Sequence, residues 1–567
     1  MRDRLKDRRV ILVLTLILAL LFGCVVAKYV AEPIVFQYRL DRLREECRNQ
    51  SNEGRAEQAE IPEGLFLSSF QGLLYVPNQV ILTGSPATIS RTITTLGSDL
   101  TWGGKKFHLR SYSSNKQEQI PSEDLAELEM AVQLYEIPDG QTVEQVACEV
   151  NGLRGISLLE EEYDVSADPN YYVSPAPWSG GGSPWTQNGE WAEDGGGLGE
   201  APSEDFQTQW ALGPDGIELS DASGDRMTEY MGNDVRVAVF DTSPFDVPVN
   251  VARVITIEVT PPLTLTVRHH ELVPAPNCPG RDRQDPCIDR EKQDISNHGL
   301  FVAGLVHAVA PHSEIHLIRV LEDDGCGDLF AIESAIDSFI RETLNEKGTL
   351  KGTVINLSLG VHQPPKPKTF GLPEKVVSLQ HTVQKAIEHG AVVVAAAGND
   401  SYNIPTATSM EIPANGSSVI GVAASNNERK RGCFSNEGDI AAPGGDGINS
   451  CEVPGRNPDS DEYVCQEEPG FCLISLVHKP YPGYAYWVGT SFSTPLVSGL
   501  AALMLEKESG LIISTSSVNV ASTISNTITA GACPPATPPA PHYLGAGIAN
   551  VRHTMQGSAC PAPILTP

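Results

Sequence analysis

Positive charge is scarce in this chain. Forty lysines and arginines face 71 aspartates and glutamates, a net charge of -31. A surface of that sign repels phosphate polymers, which disfavours nucleic-acid binding, and tends to attract basic ligands. No lysine or arginine occurs between Arg154 and Arg226, so this stretch offers nothing to a peptidase that cuts after basic residues. Zinc motifs are lacking as well. None of the 12 cysteines forms a tight double Cys-x-x-Cys pattern, and His269-His270-Glu271 lacks the second histidine of a His-Glu-x-x-His site.

What cysteines there are point to export. Nine of the 12 lie at or after Cys278, several of them close together as Cys278/Cys287, Cys451/Cys465/Cys472 and Cys533/Cys560, which reads as disulfides formed outside the cytoplasm. Nine is odd, so at least one thiol is free or pairs outside this region. The N-terminus agrees with export. Five basic and two acidic residues in Met1–Arg9 precede 18 uncharged, mostly apolar residues from Val10 to Ala27, long enough to span a bilayer. The basic flank places the N-terminus in the cytoplasm and everything after Lys28 outside. We expect a retained anchor over 1–31. Val25-Val26-Ala27 and Tyr29-Val30-Ala31 would each suit signal cleavage and a secreted product, and Leu21-Phe22-Gly23-Cys24 loosely resembles a lipoprotein box.

Chemistry concentrates at three separated motifs. Gly489-Thr490-Ser491-Phe492-Ser493-Thr494-Pro495 leads into the apolar run Leu496–Met504, which predicts a helix opening at Ser491 with Pro495 in its first turn. Free backbone N–H groups and the positive end of the dipole then favour an oxyanion beside that serine. Such a serine alone is usually an N-cap. His298, in Ser296-Asn297-His298-Gly299, precedes a second apolar helix, and Asp241 ends the apolar strand Val235–Phe240. A serine needs a base to take its proton, and an imidazole serves best when a carboxylate fixes its tautomer. Asp241, His298 and Ser491 can fill these roles.

On these motifs the chain resembles the subtilisin-like serine peptidases, over about 350 residues. Ser243 and Leu300 stand where that family usually has glycine and threonine beside the catalytic Asp and His, which leaves the local geometry open. By the same resemblance Asn399, closing Ala391–Asn399, is the oxyanion donor. Losing such a donor typically costs about 2.7–4 kcal/mol of transition-state stabilisation, a figure that comes from subtilisin itself. Ser358-Leu359-Gly360 resembles the strand that pairs with the substrate backbone, and Ala397-Gly398 would complete the pocket wall. Glu411, in Glu411-Ile412-Pro413-Ala414, falls where relatives place a small residue at the pocket floor, and a carboxylate there would favour lysine or arginine in the substrate. A glutamate on a loop is otherwise simply solvated.

Strand-like Val235–Phe240, Glu314–Leu321, Thr353–Leu359, Ala391–Ala397 and Val419–Ala424 alternate with helix-like Ala331–Leu344 and Val376–His389, an α/β pattern with a mostly parallel sheet. We assign the peptidase domain to 205–556 and a tail to 557–567. Residues 32–61 read as a juxtamembrane linker. Residues 62–175 read as a small α+β domain, with a strand at Gly72–Leu82 and a helix at Ser122–Tyr135. Its Val76-Pro77-Asn78-Gln79-Val80-Ile81-Leu82 and Asp168-Pro169-Asn170-Tyr171 resemble the family's inhibitory propeptide, which implies a zymogen with its own propeptide as partner. Residues 176–204, with two Gly-Gly-Gly runs and three tryptophans, form a linker suited to cleavage.

The sequence thus predicts a membrane-anchored or exported serine endopeptidase acting on polypeptides through an acyl-enzyme, with no cofactor needed for the chemistry. Structural calcium is implied by many relatives, but no ligands can be placed; the acidic segment Gly445–Pro482 reads as an insertion that shapes access or binds calcium. An inactive binding scaffold is the other reading, and the full set of reacting groups argues against it. An esterase of the α/β-hydrolase class would need a Gly-x-Ser-x-Gly elbow and the order Ser, Asp, His. Ser493 occupies the second glycine's place, and the order here is Asp, His, Ser.

Overall fold

The computed structural model describes residues 32–58, 75–96, 107–108, 131–137, 141–156, 163–175, 206–246, 252–259, 263–270, 295–323, 325, 327–361, 376–399, 401, 407–446, 472–479, 482–535 and 543–561. The apolar segment Val10–Ala27, the linker at 176–204 and residues 447–471 of the acidic segment lie outside them. Among the described residues no helix is long and apolar enough to cross a membrane. The chain divides into two compact units, one built mainly from Met1–Pro62 and Pro77–Pro169, the other from Asn170–Lys368 and Pro373–Pro567.

The first unit begins with helix α1 (Glu32–Gln58), followed by β1 (Tyr75–Gly84), α2 (Pro86–Leu96), β2 (Phe107–His108), β3 (Ala131–Glu136), α3 (Val143–Ile156) and the start of β4 (Val165–Pro175), which from Asn170 onward belongs to the second unit. The order β4-β1-β3-β2 is that of a split βαβ unit. Ser85 accepts from the Thr88 N–H at 3.1 Å and Pro86 follows at the first helical position, so the turn into α2 is capped and pre-set. Two expectations are corrected. Residues 32–58 form a helix where a linker was expected, and residues 131–136 form a strand where the end of a helix was expected. Leu134 and Tyr135 are buried where Ala131–Glu136 pairs antiparallel with β1; pairing outweighs the helix propensity of the residues before them.

Over residues 35–49 helix α1 shows mostly exposed side chains, several of them charged, and long-range contacts fix it. Cys47 is joined to Cys148 of α3 across 101 residues, Leu43 packs on Gly152, and Phe36 stacks on Tyr163 at 5.9 Å. A crosslink closing so long a loop removes much unfolded-state entropy. Replacing Cys148 by Ser is therefore expected to destabilise this unit by about 2–5 kcal/mol. Hydrogen exchange at the β1 and β3 amides should accelerate while that of the second unit stays unchanged.

The second unit is an α/β layer structure. Its strands are β5 (Arg236–Asp241), β6 (Arg253–Val259), β7 (Leu263–His270), β8 (Glu314–Arg319), β10 (Thr353–Leu357), β12 (Val392–Ala396), β13 (Val419–Ser425) and β14 (Ile440–Pro443), in the order β14-β13-β12-β10-β5-β8-β7-β6. All neighbours run parallel except the β7–β6 hairpin at the edge. From β5 the sheet grows one way through β8 and then the other way from β10, so the topological switch lies at the C-terminal end of β5, where α/β sheets hold their ligands. Short strands β9 (Gly327–Asp328) and β11 (Leu359–Gly360) lie outside this sheet, and the hairpin β15 (Leu473–Val477) and β16 (Gly483–Trp487) packs into the core.

Helices α4 (His298–Val309), α5 (Leu329–Lys347), α6 (Val377–Glu388), α7 (Thr490–Lys507), α8 (Ser509–Ser514), α9 (Val520–Ala530) and α10 (Val551–Gln556) complete the unit. Helix α7 is buried without interruption from Thr490 to Leu505, which is why its sequence is apolar on every face. The end of the segment expected as an insertion is instead core: Leu473–Val477 is buried throughout. Cys533 and Cys560 form the disulfide expected from their grouping, and Cys433 is a buried free thiol.

His269, at the end of β7, is fully buried against Phe245, and neither ring nitrogen has a hydrogen-bond partner. Burial, with the Arg319 charge adding to it, pushes its pKa down to about 4. An unfolded histidine titrates near 6.5, so between about pH 6.5 and 4 the unfolded chain binds the extra proton and acidification destabilises the fold. Comparing His269→Phe with wild type in chemical unfolding, the stability difference should move in the variant's favour by about 2 kcal/mol from pH 7.5 to pH 5. An unchanged difference would refute the assignment.

Candidate active site

Asp241 is the last residue of β5 and is fully buried. Its Oδ1 accepts from the Thr242 N–H at 2.7 Å and lies 2.7 Å from His298 Nδ1. Thr242 Oγ1 donates to the carbonyls of Ile295 and Ser296 and accepts from the Gly299 N–H at 3.2 Å. The turn into α4 is thereby stitched to the end of β5. A Cβ on Gly299 would lie 2.2 Å from the Thr242 carbonyl oxygen, so only glycine allows this approach. The two unusual neighbours leave the pair intact. Ser243 Oγ accepts from the Phe245 N–H at 3.2 Å, and Leu300 is buried in the core.

The imidazole of His298 is only 3% exposed. Trp487 meets it edge-on at 5.2 Å and Phe492 packs against it at 5.1 Å. Asn297 fixes the hairpin that supplies Trp487, accepting from the His478 and Lys479 N–H groups and donating to the Lys479 carbonyl. With Nδ1 donating to Asp241, Nε2 is the basic nitrogen, which is the tautomer a general base requires.

Ser491 is the second residue of α7, where backbone N–H groups lack intrahelical acceptors. Its Oγ donates to the Ser358 carbonyl at 3.2 Å, and Ser358 Oγ donates to the Ser491 carbonyl at 2.7 Å. Pro495 explains the second bond. It lies in the second turn of the helix, not in the first as expected, and four residues back its missing N–H leaves the Ser491 carbonyl without the helical donor. Ser358 supplies that donor. Asn356 Nδ2 in turn donates to Ser358 Oγ at 2.9 Å, and Ser498 Oγ donates to Asn356 Oδ1 at 2.9 Å. This buried chain of hydrogen bonds ties the nucleophile's turn to β10 and β11. Trp487, Asn356 and Ser498 escape the motif reading. Ser498, polar within an apolar run, is the one signal that a buried partner exists.

Asn399 Oδ1 accepts from both the N–H and the hydroxyl of Thr490 at 3.0 Å. Anchoring the oxygen orients the amide so that Nδ2 lies beside Gly489; a Cβ built there would meet it at 3.5 Å. Ala397, Gly398, Ser358, Leu359 and Gly360 gather at the same place, all buried. Glu411 joins them and is only 1% exposed, unlike a solvated loop residue. Backbone of β4 runs antiparallel to these edges, Tyr172–Val173 along β9 and Ser174–Pro175 along β11. Asn170 Oδ1 accepts from the Phe330 N–H in the first turn of α5 at 3.0 Å. The edge accommodates an extended polypeptide.

Among the described residues, the grouping with metal-ligand geometry is Cys533, His553 and Cys560, and the disulfide between its two cysteines removes both thiolates.

The subtilase family profile matches residues 274–547, a span that holds His298, Asn399 and Ser491 and begins after Asp241. Subtilisin of Bacillus pumilus is 29% identical over 308 residues, covering 52% of this chain and 85% of that protein. Subtilisin E of Bacillus subtilis (strain 168) is 28% identical over 308 residues, 52% of this chain and 61% of that protein. Subtilisin BL of Lederbergia lenta is 31% identical over 251 residues, 42% of this chain and 72% of that protein. With that similarity added to an α/β fold that brings Asp241 against His298, the chain belongs to the subtilase family of serine peptidases.

Proposed function

We propose that this peptidase is an exported or membrane-anchored endopeptidase that cleaves polypeptides through Asp241, His298 and Ser491, and that it is made as a zymogen. The observation that carries the reading is the 2.7 Å contact of His298 Nδ1 with the buried Asp241 carboxylate. His298 Nε2 takes the Ser491 proton as Oγ attacks the substrate carbonyl. The negative oxygen that forms is met by Asn399 Nδ2 and by the N–H groups at the start of α7. His298 then protonates the leaving amine, and a water activated by the same nitrogen hydrolyses the acyl-enzyme. Side chains and backbone suffice for these steps.

The zymogen reading is supported by the βαββαβ order of the first unit and by the backbone of residues 172–175 lying in a substrate strand's place along β9 and β11. Export is supported by the apolar segment Val10–Ala27 and by disulfides at Cys47–Cys148 and Cys533–Cys560.

A fluorophosphonate probe is expected to label the wild-type protein on Ser491, and labelling that survives in Ser491→Ala would remove the assignment. Ser358→Ala leaves the Ser491 carbonyl with neither a helical donor nor a hydroxyl partner. We expect kcat to fall about 10- to 100-fold, the size of an unsatisfied buried acceptor, with KM little changed.

A further inference from the structure

We infer that Glu411 makes this enzyme select lysine or arginine as the residue whose carbonyl Ser491 attacks, a conclusion that rests on the peptidase reading above. The register of the polypeptide on β11 locates that residue. Gly360 pairs with Ser174 and Leu359 with Pro175, so the next residue of a strand bound in this register falls opposite Ser358. The Ser358 carbonyl is the group that receives Ser491 Oγ. A substrate residue there has its carbonyl at the nucleophile and its side chain between the two flanking backbones, one at Gly360 and one at Gly398.

Glu411 fills the base of that gap. A Cβ on Gly360 would lie 2.3 Å from Glu411 Oε2, and one on Gly398 would lie 2.8 Å from its Cδ and Cγ. The backbone holds the residue from both sides. Its N–H donates to the Ala397 carbonyl at 2.9 Å, its carbonyl accepts from the Asn415 N–H at 3.0 Å, and the Val361 N–H donates to the Ile412 carbonyl at 2.9 Å. The carboxylate is therefore fixed under the strand edge. An ammonium or guanidinium that reaches this carboxylate forms a charge-assisted hydrogen bond with it, which an apolar side chain cannot do.

One consequence follows from the sequence. The linker has no lysine or arginine, and none occurs from 155 to 225. Arg226, the next basic residue, is engaged by the carbonyls of Tyr230 and Val309. An enzyme selecting basic residues does not open its own linker, and another peptidase must do so.

The test uses the full-length protein with its linker opened by a metalloprotease. It is reacted with three peptidyl diphenyl phosphonates that differ only in carrying Lys, Phe or Ala at the residue next to phosphorus, and with a fluorophosphonate lacking a peptide. Adducts on Ser491 are quantified by mass spectrometry. The Lys compound should react about 100-fold faster than the others, and in Glu411→Gln its rate, divided by that variant's own fluorophosphonate rate, should fall to that of the Phe and Ala compounds. Glu411→Asp, which keeps the charge, should retain the Lys preference. A faster Phe or Ala compound in wild type, or a Lys preference that survives Glu411→Gln, would overturn the inference. So would a linker cut in the untreated wild type and intact in Ser491→Ala. Failure of the fluorophosphonate to label Ser491 would instead sink the peptidase mechanism itself.

Discussion

The hydrogen bond between Asp241 and His298 is the constraint around which the second unit is arranged. It joins the end of a central strand to the start of a buried helix, so both must arrive at one point with little tolerance. Thr242 supplies the stitching and Gly299 the clearance. The switch point of the sheet supplies the space, because helices leave β5 and its neighbour β10 on opposite courses there. Among the described residues Asp241 Oδ2 has no hydrogen-bond partner. The imidazole and the Thr242 N–H both compensate this buried carboxylate through Oδ1, which defines the histidine tautomer.

A second constraint lies in α7. A helix buried on all sides admits few polar atoms, yet its first turns carry Ser491, the proposed nucleophile. Pro495 removes the one intrahelical bond that would have satisfied the Ser491 carbonyl, and Ser358 replaces it from the residue before β11. The same two residues are joined again through Ser491 Oγ and the Ser358 carbonyl. Nucleophile and substrate edge are thus parts of one hydrogen-bonded unit, and Asn356 and Ser498 lock it from beneath. Side chains packed at native density transmit small displacements instead of absorbing them. A shift of β11 is felt at the nucleophile.

The parallel strands were legible because each is a short apolar run, buried on both faces and bounded by turn residues. Asp241 and Ser491 could be singled out as candidates because they sit where apolar runs end or begin, and the structure places Asp241 against His298. What sequence concealed are contacts between distant, individually unremarkable residues. Helix α1 is rich in charged side chains, and pairing Cys47 with Cys148, seating Leu43 on Gly152 and stacking Phe36 on Tyr163 make it part of a domain. Ala131–Glu136 takes its identity from β1, which no local pattern announces. Pro495 was placed one turn too early because the helix begins at Thr490 and counts from there.

The overall charge of -31 and the single carboxylate of Glu411 act at different ranges. At physiological ionic strength exposed charges are screened beyond about 8 Å, so the net field raises the encounter rate of basic polypeptides without distinguishing one residue of them from the next. Choosing the bond to cut requires a charge that water and salt cannot reach. Glu411, 1% exposed between two glycines, meets that condition, and the acidic surface does not. A substrate drawn in by the surface is selected only when its own cation reaches that carboxylate, so discrimination at this position should persist at salt concentrations that abolish the steering.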